Sequence, residues 1–200
     1  DSPWETDYNT FIPNPSRYPG FEGLLGELHA QNIRMVLWTT QMVNQGSFDA
    51  EPGGDHYPTV SPNYAEGKQS GFYVNNSAAY LWWKGQGSAI DFFNRDARAW
   101  WHRQQDLLLN MGVDGWKLDF GEQYITDLPI QTKQGPIELQ RYSEAYYRDF
   151  LSYGRLKRGR DFLTMVRPYD ESYGFAMRSY ARPEHAPVAW VGDNRRDYIG

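Results

Sequence analysis

Three ionisable side chains of this sequence stand where short apolar runs end, and their types suit bond-breaking chemistry: Asp119, Arg167 and Asp193. Each follows a run typical of a buried strand, at residues 116–118, 162–166 and 188–191. The active sites of parallel β/α barrels assemble at the C-terminal ends of the strands. Each carboxylate could alternatively cap the helix that follows it. The recurrence over three strands favours one shared site over separate caps.

Two carboxylates on neighbouring strand ends can flank one glycosidic bond. In retaining hydrolysis, carboxyl groups about 5–5.5 Å apart serve as nucleophile and as acid, then base. Lys117 lies two residues before Asp119, so strand alternation directs both side chains to one face, where a cation favours an ionised nucleophile. Asp193 follows the apolar residues Trp190 and Val191, and an apolar environment favours the protonated form of a carboxyl group. The sequence therefore predicts that Asp119 and Asp193 face each other.

The elements that must position these groups alternate between strand and helix. Periodicity and capping residues predict helices over 21–31, 94–112 and 139–154, and strands over 33–38, 89–92, 116–118, 162–166 and 188–191. Asn94 is the expected N-cap of the long central helix, and Gly112 is its expected end. That helix should bury one stripe, formed by Ala97, Trp100, Trp101, Gln104, Leu107, Leu108 and Met111. This order predicts an α/β fold, a (β/α)8 TIM barrel of which the chain is a segment.

Some stretches show no clear periodicity. Residues 39–87 form a long insertion rich in Gly, Pro and Asn, which should be functional or carry small elements of its own. Residues 123–136 are expected to be a loop, and the basic run at 155–160 a solvated loop after a helix. We expect residues 1–200 to be part of one barrel cut from a longer protein.

Composition narrows the class of partner. The 40% hydrophobic content suffices for a sizeable core, and the 16% aromatic content, with 8 Trp and 15 Tyr, suits a site lined by flat apolar faces. For individual aromatic residues core packing is the default, and we expect it for Tyr73, Tyr80, Trp82 and Trp116. The net charge of −5 argues against nucleic acid, and no apolar run has the length of a membrane span. Oligomeric state stays open, and so does location, with the periplasm or the exterior favoured over the cytoplasm.

The motifs around these residues resemble those of glycoside hydrolase family 31, the retaining α-glycosidases that include α-glucosidases, α-xylosidases, α-galactosidases and sulfoquinovosidases. The Lys-Leu-Asp-Phe-Gly-Glu run at 117–122 resembles the nucleophile motif, and Trp-Val-Gly-Asp at 190–193 resembles the acid/base motif. Further similarity lies at Asp1 to Trp4, at the strand ending in Trp38, at Trp83 to Gly87 and at Asp91 to Asn94. The resemblance covers nearly the whole chain in order.

The resemblance implies a role for each matching residue. Asp119 would be the nucleophile and Asp193 the acid/base. The subsite that grips the cleaved sugar would be lined by Asp1, Trp38, Trp83, Lys117 and Arg167. The family usually has Arg-Ser soon before the acid/base strand, and here that pair is Arg178-Ser179, so Arg178 is an alternative to Arg167. The implied substrate is an oligosaccharide or glycoside, with no cofactor.

Other functions remain open at this point. The same residues fit a transglycosylase, in which a sugar rather than water resolves the intermediate. A carbohydrate-binding barrel without chemistry would have no need of an acid at Asp193. Metal-assisted chemistry would need ligands that His56, His102 and His185 do not supply, because they are scattered without metal-ligand spacing. The form of the 117–122 motif leans toward the α-xylosidase and sulfoquinovosidase branch, while α-glucosidase and α-galactosidase activities stay equally open.

Overall fold

The computed structural model describes residues 4–48, 57, 60–119, 124–166 and 182–190. The helices within these ranges are α1 (Phe21–Ala30), α2 (Tyr64–Gln69), α3 (Arg95–Met111) and α4 (Leu139–Arg158). The strands are β1 (Val36–Thr39), β2 (Met42–Ser47), β3 (Tyr80–Trp82), β4 (Gly85–Ala89), β5 (Gly115–Leu118), β6 (Ile130–Thr132), β7 (Gly135–Ile137), β8 (Leu163–Val166) and β9 (Val188–Ala189). A short 3₁₀ turn spans Asn75–Ser77.

A parallel sheet in the order β1-β5-β8-β9 forms the centre, as predicted. Its register pairs Thr39 with Leu118, Leu118 with Val166 and Val166 with Ala189, so the C-terminal ends of the strands lie at one edge. Helix α3 precedes β5 and helix α4 lies between β5 and β8, as crossovers between parallel strands require. Thr40, Asp119 and Trp190, which follow β1, β5 and β9, therefore lie along one rim of the sheet.

The long helix α3 begins where the sequence predicts. The Asn94 side chain accepts hydrogen bonds from the main-chain N–H groups of Asp96 and Ala97, at 3.0 and 3.4 Å. Gly112 ends the helix at a φ of 116°. The predicted stripe is partly wrong, because Leu107 is 43% exposed and Gln104 and Met111 are only half-buried. The buried face consists of Ala97, Trp100, Trp101, Gln105, Leu108 and Leu109.

Helix α4 is longer than predicted. It continues through Gly154, which the sequence suggested as its end, and reaches Arg158. A Cβ at position 154 would collide with the ring of Phe162, so this glycine permits close packing of α4 against Phe162, the residue before β8, rather than ending the helix. The prediction of a loop over 155–160 is therefore wrong for residues 155–158, which are helical. Arg155 and Arg158 occupy the last helical turn, where cations complement the negative end of the helix dipole.

The insertion after β1 has its own structure. β2 and β3 both pair antiparallel with β4, in the order β2-β4-β3, and α2 lies between β2 and β3 in the chain. The predicted strand over 89–92 is wrong, since the strand is β4 and ends at Ala89. Gly87 allows β4 to lie close to β2, because a Cβ there would lie 2.6 Å from the Val43 carbonyl oxygen. The predicted loop over 123–136 likewise contains a hairpin, β6 with β7.

Aromatic side chains dominate the core. The Phe11 ring meets Trp101 and Trp116 edge-on, at centroid distances of 5.1 and 5.5 Å, and so joins an early loop to α3 and β5. The four aromatic residues expected in the core, Tyr73, Tyr80, Trp82 and Trp116, are all buried. Within the described ranges, none of the helices combines the length and apolarity needed to cross a membrane.

Candidate active site

Asp119 is the first residue beyond β5, at the C-terminal rim of the parallel sheet. Its main-chain N–H donates to the Thr39 carbonyl at the end of β1, at 3.0 Å. The side chain is buried, with 5% of its surface exposed. A carboxylate in that position is supported by two neighbouring strands and points from the rim where barrel sites form.

Two donors converge on one oxygen of this carboxylate. The Trp38 indole Nε1 donates to Asp119 Oδ2 at 2.7 Å, and the Lys117 ammonium lies 2.9 Å from the same oxygen. The prediction that Lys117 and Asp119 point to one side is therefore confirmed. A charge-assisted bond and an indole donor on a single oxygen fix the rotation of the carboxylate.

Trp38, whose indole binds Asp119, packs edge-on against Trp83. Their ring centroids are 6.0 Å apart and their planes nearly perpendicular, at 87°. The Lys84 ammonium lies 4.1 Å from the centre of the Trp83 ring, and Lys84 is buried. Trp4 Nε1 donates to the Trp38 carbonyl oxygen at 2.8 Å, which anchors the backbone of Trp38 to the early loop. The sequence predicted both tryptophans for the sugar subsite and gave Lys84 no part, although Lys84 directly follows Trp83.

The strand that precedes the predicted acid/base lies on the other side of the site. Trp190 follows β9, and its main-chain N–H donates to the Val166 carbonyl at 2.7 Å. The Lys117 ammonium stands 5.4 Å from the centre of the Trp190 ring. Lys117 therefore contacts both Asp119 and the start of the 190–193 motif. Asp193 itself lies outside the described residues, as do Asp1, Arg167 and Arg178.

A buried asparagine supports the β1 end of the site. Asn9 has a φ of 60°, in the left-handed region that Asn tolerates better than most residues. Its Nδ2 donates to Thr40 Oγ1 at 2.9 Å, and its Oδ1 accepts from Thr39 Oγ1 at 3.0 Å and from the Thr40 main-chain N–H at 3.2 Å. The same Nδ2 also donates to the Met42 carbonyl. The turn from β1 into β2 is thus fixed by one side chain from the early loop.

Two other buried carboxyls, Glu5 and Asp91, accept hydrogen bonds from main-chain N–H groups. Burial raises the pKa of Glu5 well above its ordinary value, although the Phe11 main-chain N–H donates to it. Burial also raises the pKa of Asp91, against the main-chain N–H groups of Phe93 and Lys133, which donate to it at 2.9 and 2.7 Å. Both acids bind backbone and hold loops together.

The histidines of the described ranges pair separately with carboxylates. His29 bonds Asp114 and His102 bonds Asp149, each at 2.8 Å, and His185 bonds Glu144. Across the part of the chain that the structure describes, no three His, Asp or Glu side chains come together as a metal-binding set.

Comparisons with known proteins agree on one family. The model of the "Glycosyl hydrolases family 31 TIM-barrel domain" matches residues 1–199. An α-xylosidase of Lactiplantibacillus pentosus is 29% identical over 180 residues, which are 88% of this chain and 21% of that protein. An isomaltosyltransferase of Sporosarcina globispora is 26% identical over 198 residues, 96% of this chain and 17% of that protein. The chain thus spans about a fifth of the length of these curated relatives.

Solved structures show the same fold. A Flavobacterium johnsoniae dextranase complexed with glucose superposes with a TM-score of 0.72 at 16% identity, covering 94% of this chain and 22% of that one. A sulfoquinovosidase from E. rectale superposes with a TM-score of 0.68 at 18% identity, covering 97% of this chain and 26% of that one. The parallel sheet with its connecting helices is therefore a segment of a TIM barrel.

Proposed function

The chain belongs to glycosyl hydrolase family 31, and we propose that its full-length protein is a retaining α-glycosidase. The reaction would release the terminal, non-reducing α-linked sugar from an oligosaccharide or glycoside. Asp119 would be the nucleophile, and Asp193 the general acid and then base. The relatives named α-xylosidase and α-glucosidase, both of which match most of this chain, support this class of reaction.

The observation that carries the proposal is the set of donors on Asp119. Trp38 Nε1 and Lys117 Nζ both bind Oδ2, and both belong to side chains at the rim of the sheet. Glu5 and Asp91 instead accept from main-chain N–H groups, as loop-bracing acids do. Side-chain donors beside aromatic faces suit a carboxylate that must stay ionised, keep one orientation and meet a ligand.

The proposed reaction proceeds by two displacements. An Asp119 oxygen attacks the anomeric carbon while Asp193 protonates the departing glycosidic oxygen, which gives a glycosyl ester and a free alcohol. Asp193, now a carboxylate, takes a proton from water, and that water attacks the anomeric carbon and breaks the ester. The sugar keeps its anomeric configuration and both carboxyls return to their starting states. Lys117 stabilises the carboxylate that is present before attack and after release.

The remaining predicted residues complete the proposal. Trp38 and Trp83 would offer ring faces and edges to the apolar side of the sugar in the cleaved position. Asp1 and Arg167 would bind its hydroxyl groups, with Arg178 as the alternative arginine. Confirmation of these contacts would come from substitutions that raise KM for the preferred sugar.

Transglycosylation is the second candidate. The observation that favours it is the similarity to the isomaltosyltransferase, which extends over 96% of this chain. Both reactions share the glycosyl ester and differ only in whether water or a sugar hydroxyl resolves it. The ratio of free sugar to transfer product at rising acceptor concentration separates them.

The decisive experiment uses the full-length protein and a panel of aryl α-glycosides. NMR of the first-formed sugar should show the α anomer, whereas the β anomer would contradict the double displacement. Asp193→Ala should lose most activity on substrates with poor leaving groups and regain it with azide, which needs no base to attack the ester. Binding of sugars without turnover of any substrate in the panel would support a non-catalytic barrel instead.

A further inference from the structure

We propose that Tyr146 is the positioning residue for the nucleophile, an inference that rests on the proposed role of Asp119. Two buried tyrosines of α4, one helical turn apart, donate hydrogen bonds to main-chain carbonyls. Tyr142 donates to Ile90, at 2.7 Å, and Tyr146 donates to Asp119, at 3.1 Å. The first bond ties α4 to the segment that follows β4, and the second reaches the residue that would attack the sugar.

The position of Asp119 in the chain gives this bond its importance. The pairing of β5 with β8 ends at Leu118 and Val166, so Asp119 lies one residue beyond the regular ladder. Its N–H is bound by Thr39 and its carbonyl by Tyr146. The peptide groups on both sides of the Asp119 Cα are therefore anchored, one to β1 and the other to α4. The direction in which the carboxylate leaves the backbone follows from these two anchors.

The phenol is held rigidly enough to act as an anchor. The Tyr146 ring stacks on Phe92 at a centroid distance of 5.7 Å and meets Phe150 edge-on at 5.3 Å. Tyr147 lies 4.8 Å away on the same helix. Phe92 is the residue after Asp91, which binds the β6–β7 hairpin through Lys133. The segment between β4 and α3, the β6–β7 hairpin and α4 are thus held together around the Tyr146 ring, whose hydroxyl reaches Asp119.

A covalent trapping assay isolates the step that positioning should affect. The probe is a ring-fluorinated α-glycosyl fluoride of the sugar that the full-length enzyme cleaves fastest. Such a probe forms the glycosyl ester and releases it slowly, so the trapping rate reports attack by the nucleophile. The final fraction of trapped protein counts correctly folded sites. A variant that is merely unstable lowers the final fraction, whereas misplacement of the carboxylate lowers the rate.

Tyr146→Phe and Tyr142→Phe are a matched pair. Each removes one hydroxyl from a fully buried ring of the same helix, and each leaves one main-chain carbonyl without that donor. We expect Tyr146→Phe to trap about tenfold more slowly with a full final fraction, the scale of one lost hydrogen bond at the reacting group. Tyr142→Phe should stay within about twofold of the parent rate. Equal rates in the two variants, whether both normal or both slow, would overturn the inference.

A second pair covers the case in which Tyr146→Phe does not fold. Position 146 can carry para-aminophenylalanine, which keeps an N–H donor, or para-methylphenylalanine, which fills the same volume without one. The donor-bearing protein should trap faster, and equal trapping rates would overturn the role of the hydrogen bond. Asp119→Asn distinguishes this failure from failure of the proposed function. If Asp119→Asn were trapped at the normal rate, Asp119 would not be the nucleophile, and the proposed function would fail independently of Tyr146.

Discussion

The two ends of β5 each carry an aspartate, and the two carboxylates are used in different ways. Asp114 precedes the strand and Asp119 follows it, and both reach across to β1. Asp114 Oδ2 accepts from the Met35 main-chain N–H and from His29, each at 2.8 Å, while the Asp114 N–H donates to the Met35 carbonyl. The N-terminal end of β5 is called the lower end, and the C-terminal end, which Asp119 follows, the upper end. At the lower end the Asp114 carboxylate ties β5 to the residue that precedes β1.

At the upper end both donors named for Asp119 are side chains, whereas one of the two donors to Asp114 is a main-chain N–H. Trp38 and Lys117 bind Asp119 Oδ2, and 5% of the Asp119 side chain is exposed, against 18% for Asp114. A main-chain partner fixes strand positions, whereas side-chain partners orient a charge and can respond to a ligand. The comparison teaches that residue type and strand position alone do not separate a structural acid from a candidate catalytic one. The identity of the donors does.

The largest expected effect is on catalysis at the upper end. Asp119→Asn should lower kcat by at least about a thousandfold, because the amide is a poor nucleophile and cannot form the ester. Steady-state assays with the best aryl α-glycoside would measure this loss. Protein that retains a normal circular dichroism spectrum and thermal midpoint provides the control for folding. Activity within tenfold of the parent would place the nucleophile elsewhere.

Lys117→Met should have the next largest effect. Removing the ammonium 2.9 Å from Asp119 takes away a charge that stabilises the carboxylate, so kcat/KM should fall by about 10- to 100-fold. Lys157→Met is the matched control, since Lys157 forms a similar pair with Asp106, at 2.8 Å, between α3 and α4. That variant should keep kcat/KM within about twofold. Equal losses of kcat/KM in the two variants would mean that the loss comes from removing any paired lysine charge, and not from the position of Lys117 beside Asp119.

Asp114→Ala tests the lower end. It leaves the Met35 N–H without its carboxylate partner, so the free energy of unfolding should fall by about 1–3 kcal/mol. Turnover by the folded fraction should stay within about twofold, because the lower end of a barrel serves stability. Denaturant unfolding and active-site titration would measure the two quantities. A large fall in kcat with unchanged stability would reverse the comparison of the two ends.

The smallest effect concerns Glu5, in the loop that supports the upper end of β1. Because its pKa in the folded protein is raised well above the ordinary 4.5, the folded protein keeps a proton that the unfolded chain releases. The stability that this gives is complete below pH 4.5 and is lost as the pH rises toward the raised pKa, by up to about 1.4 kcal/mol per pH unit.

Glu5→Gln, which is neutral at every pH, should remove that loss. Unfolding midpoints between about pH 5 and pH 7 should decline less steeply in the variant than in the parent. Identical pH profiles for the two proteins would show that Glu5 does not keep its proton. The result would also show how burial of the Glu5 carboxyl affects the free energy of unfolding.

Local sequence signals predicted the elements around β5 well. Asn94 and Gly112 mark the ends of α3 through side-chain and backbone preferences that act within a few residues. The two-residue strand period placed Lys117 beside Asp119. The order of apolar runs and helices predicted the parallel sheet. In each case the information needed lies within one element or in the succession of elements.

Features that depend on distant partners were missed. Gly154 resembles a helix end until Phe162 is seen packed against it, and the strands of the insertion contain glycines that only their pairing explains. Tyr146 falls in the apolar stripe of α4, so nothing local separates its hydroxyl from that of a core tyrosine. Its bond to Asp119 joins residues 27 positions apart, and only the fold reveals it.

The most direct test of the account is to find which side chain carries the sugar during turnover. Full-length protein trapped with the ring-fluorinated α-glycosyl fluoride would be digested, and the labelled peptide sequenced by mass spectrometry. The account predicts one glycosyl group per molecule, esterified to Asp119 and absent from Asp119→Asn. A sugar attached to any other residue, or rapid turnover without a trapped intermediate, would contradict it.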